Sequence, residues 1–223
     1  MNILNKISST NSNKKRIRVL DEFVRSNWNG VSQKESEENL KNSLIEIVYS
    51  GGQHCGNGLL ISENGYFITA NHCLESMTRK RIVTSDGTYY KKFAVCKHDV
   101  FNDVALAEIF TSKKFIPKKY NLGDTTKVEN SAMALLTRWN GKISKKYGLL
   151  RRNYSIVKEG VDINGLHLNG ISINGNSGGI VLNPQHELVG MVYGKTNANE
   201  TTITKTQTIL NLIYSYINEL KNS

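Results

Sequence analysis

Ile173-Asn174-Gly175-Asn176-Ser177-Gly178-Gly179 is the stretch on which the reading of this chain turns. A serine set among glycines can sit on a tight turn with its hydroxyl exposed and the backbone N–H groups of Gly175 and Ser177 aimed at one point, which makes a nucleophile and an oxyanion hole together. The glycines suit such a turn because it needs positive φ angles and because a substrate carbonyl must approach the main chain closely. A Gly-rich hairpin loop explains Gly175 to Gly179 as well. The rest of the chain decides between the two.

Working outward, the residues on both sides read as short strands. Before the serine, Ala132 to Thr137, Lys146 to Leu150, Tyr154 to Val157 and Gly165 to Leu168 are short apolar or alternating runs; after it come Ile180 to Leu182 and Leu188 to Tyr193. Turn residues separate them at Asn140-Gly141 and Asn164-Gly165. Further upstream the same grammar appears in Leu44 to Tyr49, Gly58 to Ile61, Tyr66 to Thr69, Arg81 to Thr84, Tyr89 to Val95 and Val104 to Ile109, punctuated by Gly51-Gly52, Asn64-Gly65 and Asp86-Gly87. Two successive sets of about six short strands are the pattern of all-β barrels. Thr111 to Lys119 is the polar connector between them. The expected divisions are 1–43, a tail to Asn13 plus a short helix; 44–112, a first barrel; 113–202, connector and second barrel; and 203–223, a terminal helix.

The flanks are helical in period. Ile17, Leu20, Val24 and Trp28 form an apolar stripe over Lys14 to Trp28, suited to packing on the body of the protein or to a membrane or partner. Ser32 to Leu44 is acidic and polar and reads as a second helix or a linker. At the other end Ile209, Leu212, Ile213, Tyr216, Ile217 and Leu220 recur at three- and four-residue spacing, an amphipathic helix.

Composition sets the bounds. The 223 residues are 39% hydrophobic with two prolines and 18 glycines, enough for a packed core and against disorder. No apolar run is long enough to span a bilayer, and Met1 to Arg18 is polar and basic without a signal-peptide core. The default reading is a soluble cytoplasmic protein, with leaderless secretion as an effector the alternative. The net charge is +10, and residues 113–152 hold eleven Lys or Arg against Asp124 and Glu129. That face is either a solvated lysine-rich surface or a site for an acidic partner. No nucleic-acid motif accompanies it.

Two further stretches complete the chemistry. In Phe67-Ile68-Thr69-Ala70-Asn71-His72-Cys73-Leu74 a histidine follows a strand, and in Asn102-Asp103-Val104-Ala105-Leu106-Ala107 an aspartate precedes one. A hydroxyl is a poor nucleophile until an imidazole takes its proton, and the imidazole needs a carboxylate to fix its tautomer and stabilise its cation. His72, Asp103 and Ser177 supply these three groups, in one of the chain orders on which that triad is built.

Over residues 44 to 195 these blocks resemble the signature stretches of chymotrypsin-like (trypsin-fold) serine proteases. Asp86-Gly87-Thr88-Tyr89 through Asp103, and Ile173 to Gly179 followed by Leu188-Val189-Gly190, look most like the protease domain of the bacterial HtrA enzymes. The resemblance implies two perpendicular six-stranded antiparallel barrels with His72 and Asp103 from the first, Ser177 from the second, and the N–H groups of Gly175 and Ser177 as the oxyanion hole. It implies no cofactor, and no PDZ domain is expected after the terminal helix. Cys55 and Cys73 match the positions of a disulfide beside the active site, their redox state being left open; Cys96 reads as a small buried hydrophobe. Side-chain preference in such enzymes is set by the residues that correspond to Ile171, Ser172 and Ile173 and to Val192, Tyr193, Gly194 and Lys195, which suit an apolar or small side chain, while Ser172 and Lys195 together could accept an acidic one.

Three departures stand out. Asn176 replaces the aspartate that receives a new N-terminus in digestive members, so activation by N-terminal insertion is not expected. Asn71 stands in place of a second alanine, and Tyr193 in place of a serine beside the aspartate. His54, His98, His167 and His186 are too scattered for a metal site and read as surface or core histidines. The expected function is a serine endopeptidase acting on protein or peptide through an acyl-enzyme, with esterase or other acyl transfer open to the same groups. The alternative is a catalytically idle binding module of the same fold using the basic face.

Overall fold

The computed structural model describes residues 3–26, 30–116, 118–124, 131–158, 161–169, 174–195 and 200–223. Among these residues three α-helices flank or cover thirteen strands: α1 Ile3–Ser26, α2 Gln33–Ser43, β1 Leu44–Tyr49, β2 His54–Leu60, β3 Tyr66–Ala70, β4 Lys80–Val83, β5 Tyr89–Tyr90, β6 Phe93–Asp99 and β7 Val104–Ile109 come first. β8 Ala132–Trp139, β9 Lys142–Lys158, β10 Val161–Asn169, β11 Ile180–Leu182, β12 Leu188–Lys195, β13 Glu200–Lys205 and α3 Thr206–Asn222 follow.

The second set of strands closes into an antiparallel barrel in the order β10-β13-β12-β11-β8-β9, while the first is a curled seven-stranded sheet in the order β5-β4-β1-β2-β3-β7-β6. Together they make the double-barrel fold of the chymotrypsin type. The first half differs from the expected six-stranded closed barrel. The run Tyr89 to Val95 breaks at Lys91-Lys92 into β5 and β6, which become the two edges of the sheet.

The second half corrects two readings and adds a strand. Lys146 to Leu150 and Tyr154 to Val157 are one continuous strand of 17 residues, β9. Asn164-Gly165 is no turn: it lies inside β10, paired with Ser155 and Tyr154 of β9. Glycine weakens a strand interior, and here the ladder is carried across it by the 17-residue partner β9. Glu-Thr-Thr-Ile-Thr-Lys at 200–205, too polar to stand out, is β13, and it staples β10 to β12. The Asn140-Gly141 turn behaves as expected: φ angles of 49° and 75° give the left-handed pair that a two-residue hairpin requires.

The helices pack on the body. Leu20 and Val24 of α1 are buried together with Ile213, Tyr216 and Ile217 of α3 in a core cluster shared with β3, β7, β8, β11 and β12. The apolar stripe of α1 is thereby used internally rather than offered to a membrane, and Trp28 lies outside the described residues. The helix also begins at Ile3, so the stretch expected as a loose tail is helical. The ambiguous segment 32–44 is a helix, capped where the Ser32 hydroxyl accepts the Glu35 N–H at 3.2 Å.

Candidate active site

Pairing of β3 with β7 brings Ala70 opposite Val104, so the residues just after one and just before the other must meet. A short 3-10 turn over Asn71–Leu74 buries Cys73 and Leu74 and leaves the His72 side chain 41% exposed. Asp103 takes a left-handed φ of 49°, an uncommon conformation that aspartate tolerates better than most residues. One carboxylate oxygen accepts the His72 backbone N–H at 2.9 Å and the other meets His72 Nδ1 at 2.5 Å. The Asp103 carbonyl oxygen accepts the N–H of Asn71 at 3.1 Å. The hydrogen bond to Asp103 outweighs burial and raises the His72 pKa above its ordinary value. An imidazole held this way presents Nε2 as a base of fixed tautomer.

The serine turn is docked on β2. Asn57 N–H donates to the Ser177 carbonyl at 2.7 Å, and the Thr69 hydroxyl donates to the Asn57 carbonyl at 2.5 Å. Gly178 N–H bonds to Val192 O at 2.7 Å, and Val192 N–H returns to Gly179 O at 2.8 Å. Gly178 has φ +75°, and a Cβ there would lie 1.8 Å from the Asn57 carbonyl oxygen, so no other residue fits. On the far side of the same strand, the position of a Cβ on Gly56 would be 2.5 Å from Cys73 Sγ and 2.9 Å from Ser177 O. Two neighbouring residues of β2 thus place Ser177 against the residue that follows His72.

Two features of the turn bear on chemistry. Among the described residues, the N–H groups of Gly175 and Ser177 have no hydrogen-bond partner, whereas most backbone amides in folded proteins are paired. Also among these residues, no hydrogen bond joins Ser177 Oγ to His72, whose Nε2 lies 3.7 Å from Cys73 Sγ instead.

The Gly175 carbonyl is held by residues that the sequence reading set aside. His54 Nε2 lies 2.8 Å from it and Asn57 Nδ2 donates to it at 3.0 Å. His54 Nδ1 is 2.7 Å from Glu46 Oε1, both side chains are 3% exposed, and the imidazole stacks on Trp139 at 4.5 Å and 13°. Glu46 also accepts the N–H groups of Asn140 and Gly141. His54 is thus a buried histidine, one of the two readings the sequence allowed, and from β2 it reaches the serine turn. The signal available was Glu46, a lone acid in an apolar strand, near a Gly-Gly turn that folds His54 back toward it.

The remaining expectations divide. Cys55 and Cys73 lie together, Cys55 Sγ being 3.8 Å from the Cys73 carbonyl, yet all three cysteines are free and the disulfide is not formed. The hydrogen bond to Cys73, with help from Lys80, brings the Cys55 thiol below its ordinary value. Burial pushes the Cys96 thiol up to about 11. Of the residues expected to set side-chain preference, 171–173 lie outside the described residues. Val192 is buried, Tyr193 packs against the core of the first sheet, and Gly194 and Lys195 continue β12 opposite Thr202 and Thr201. In the basic stretch, Lys113 pairs with Asp86, Lys114 with Glu63, and Lys145 with Glu37, so part of its charge is neutralised within the fold. Among the described residues no cluster suited to a metal is present, and no helix is long and apolar enough to cross a membrane.

Comparison with known proteins agrees with the fold. A family model described as "Trypsin-like peptidase domain" matches residues 56–191, more than half of the chain, and spans His72, Asp103 and Ser177. A probable periplasmic serine endoprotease, DegP-like, of Buchnera aphidicola subsp. Schizaphis graminum is 28% identical over 141 residues. A probable serine protease do-like of Buchnera aphidicola subsp. Acyrthosiphon pisum is 27% identical over the same length. Each match covers 61% of this chain, which spans 29% of the length of these relatives. Among solved structures, the HtrA-type protease AlgW with a decapeptide superposes with a TM-score of 0.67 at 14% identity, over 84% of this chain and 68% of that one. The MamO protease domain from Magnetospirillum magneticum does so with a TM-score of 0.62 at 18% identity, over 78% and 96%.

Proposed function

This chain belongs to the trypsin-like peptidase domain family, and from that premise we propose that it is a serine endopeptidase acting on extended protein or peptide segments. In this reading Ser177 attacks the scissile carbonyl, His72 takes its proton and returns it to the leaving amine, and Asp103 holds His72 through Nδ1. Water then hydrolyses the acyl-enzyme with His72 again as base. The developing oxyanion is received by the N–H groups of Gly175 and Ser177. The observation that carries the reading is that these two amides, on either side of a turn docked beside the His72–Asp103 pair, have no partner among the described residues.

A second reading, an idle binding module of the same fold, is favoured by one observation. His72 Nε2 lies 3.7 Å from Cys73 Sγ, and among the described residues no hydrogen bond joins it to Ser177 Oγ. Unliganded sites often hold such bonds loosely, and they tighten around substrate. Fluorophosphonate labelling separates the two readings. The expected outcome is an adduct located by mass spectrometry on Ser177 and absent in Ser177→Ala. A folded wild-type protein that takes no adduct would leave the binding module.

A further inference from the structure

We propose that His54 and Glu46 form a buried positioning pair that holds the glycine of the serine turn in its working conformation by gripping its carbonyl, and that the grip needs two protons on the pair. The inference rests on the reading of Ser177 as nucleophile, and it assigns the regulation of that same site.

A carbonyl oxygen can only accept a hydrogen bond. The Gly175 oxygen carries no proton, so the contact of 2.8 Å to His54 Nε2 is a hydrogen bond only when Nε2 bears the hydrogen. Nδ1 then lies 2.7 Å from Glu46 Oε1, and that contact also needs a proton between the two atoms. The pair therefore holds two protons, as imidazolium with carboxylate or as imidazole with carboxylic acid. Remove one, and a lone pair faces either the Glu46 oxygen or the Gly175 oxygen. In both cases one link of the grip becomes repulsive.

The surroundings favour the charged form. Burial works to lower the His54 pKa, but the bonds to Glu46 and to the Gly175 carbonyl outweigh it and raise the value above that of a free imidazole. Burial likewise works to raise Glu46, and the bonds from His54, Asn140 and Gly141 outweigh it, leaving the carboxyl below its ordinary value. The other charged groups acting on the pair are Cys55 beside His54 on β2 and Arg138 of β8, which acts on Glu46. The hydrogen bond to Cys73 and the neighbouring Lys80 hold the Cys55 thiol below its ordinary value. Arg138 remains a cation on the alkaline side of neutrality.

Gly175 needs such a grip because a glycine at φ +91° has little steric preference of its own. The imidazole–indole stack supplies a wall as well: a Cβ on Gly175 would meet His54 Cδ2 at 2.8 Å and Trp139 Cζ3 at 3.2 Å. Asn57 Nδ2 is the second donor to the same oxygen and is itself held where its Oδ1 accepts Arg138 N–H at 2.6 Å. His54 and Glu46 touch no reacting atom. They act through the turn.

The test measures the second-order rate of fluorophosphonate labelling from pH 5 to pH 10 in the full chain, with hydrogen–deuterium exchange of the peptide covering 174–179. Wild type is expected to label at a rate that rises as His72 loses its proton and falls again above the ordinary histidine range as the pair loses one. His54→Phe keeps the stack on Trp139 and removes the grip. It is expected to label about 10- to 100-fold more slowly, the scale of a small misplacement of catalytic groups, with exchange at 174–179 faster by at least about tenfold. Glu46→Gln is the sharper variant. Its amide oxygen keeps the place of Oε1 between Nδ1 and the Asn140 N–H, so the grip still needs the imidazolium but loses the carboxylate that stabilises it. In it the alkaline fall is expected to move to lower pH, and His54→Gln, which retains an N–H donor, should label faster than His54→Phe.

A His54→Phe protein that labels within twofold of wild type and exchanges alike overturns the grip. An alkaline limb unchanged in Glu46→Gln overturns the proton count. If His54→Phe does not fold, as judged by far-UV circular dichroism, Glu46→Gln and His54→Gln carry the same test. A wild type without a Ser177 adduct defeats the proposed function but not this inference, which then stands or falls on whether exchange at 174–179 quickens in the variants.

Discussion

At Asp103 a single residue combines an uncommon backbone angle with both of its carboxylate oxygens engaged by His72. The two contacts do different work: the bond to the backbone N–H places the turn, and the bond to Nδ1 sets the tautomer. Asp103→Asn preserves the first and reverses the second, because an amide donor at Nδ1 leaves Nε2 with the proton. The expected outcome is a loss of about 10⁴-fold in labelling rate at neutral pH with the fold intact, on the scale seen for such triads, checked by labelling kinetics beside circular dichroism. The sign of the pH effect follows from the same bond. Since Asp103 raises the His72 pKa, wild-type labelling should gain its acid limb above the ordinary histidine value of about 6.5. Removal of the carboxylate should move any residual limb to lower pH.

Among the elements, β8 joins the parts of the site. Arg138 donates Nε to Leu44 O, Nη1 to Gly141 O and Nη2 to Lys41 O, tying the end of α2, the start of β1 and the β8–β9 turn to one side chain. Its own N–H holds Asn57, which holds Gly175. Arg138→Met fills similar volume and takes a donor from three carbonyls, of which Lys41 O keeps the Leu44 N–H. The expected cost is about 3 kcal/mol of stability in urea unfolding, since each such loss costs on the order of 1 kcal/mol or more. Labelling should fall less, because the main-chain bond from residue 138 to Asn57 survives. The bulge between β1 and β2 is the second element-scale device. The register runs Glu46↔Asn57 and Ile47↔Gly56 and then shifts to Val48↔His54, so that one extra residue, Cys55, sits against the pair Ile47-Val48. Side chains alternate along a strand, and one inserted residue turns all that follow to the other face. The shift places His54 on the face of Glu46 and Asn57, whereas regular pairing would have aimed it into the first sheet with Ile45 and Ile47.

Over the whole molecule, one core cluster holds α1, α2 and α3 together with strands from both halves. Ile213, fully buried there, should behave as a keystone of both halves. Ile213→Ala is expected to cost about 2–5 kcal/mol, and the transitions followed by tryptophan fluorescence and by circular dichroism should remain coincident, as for one cooperative unit. Two separated transitions would show that the halves unfold independently. The sequence by itself determined the all-β class, most of the strands, the terminal helix, and His72, Asp103 and Ser177 as the groups to watch, because side-chain period and turn residues are local properties of the chain. It did not reveal that Tyr154 continues β9, that the polar 200–205 run is β13, or that the first sheet stays open. Those follow from which strand lies alongside. Only the tertiary structure placed His54 against Gly175 and left Cys55 and Cys73 close but unbonded. The physical reason is that a bulge, a register shift and a contact across 121 positions of sequence are set by the pairing of distant segments, and no local pattern records which distant segment will arrive.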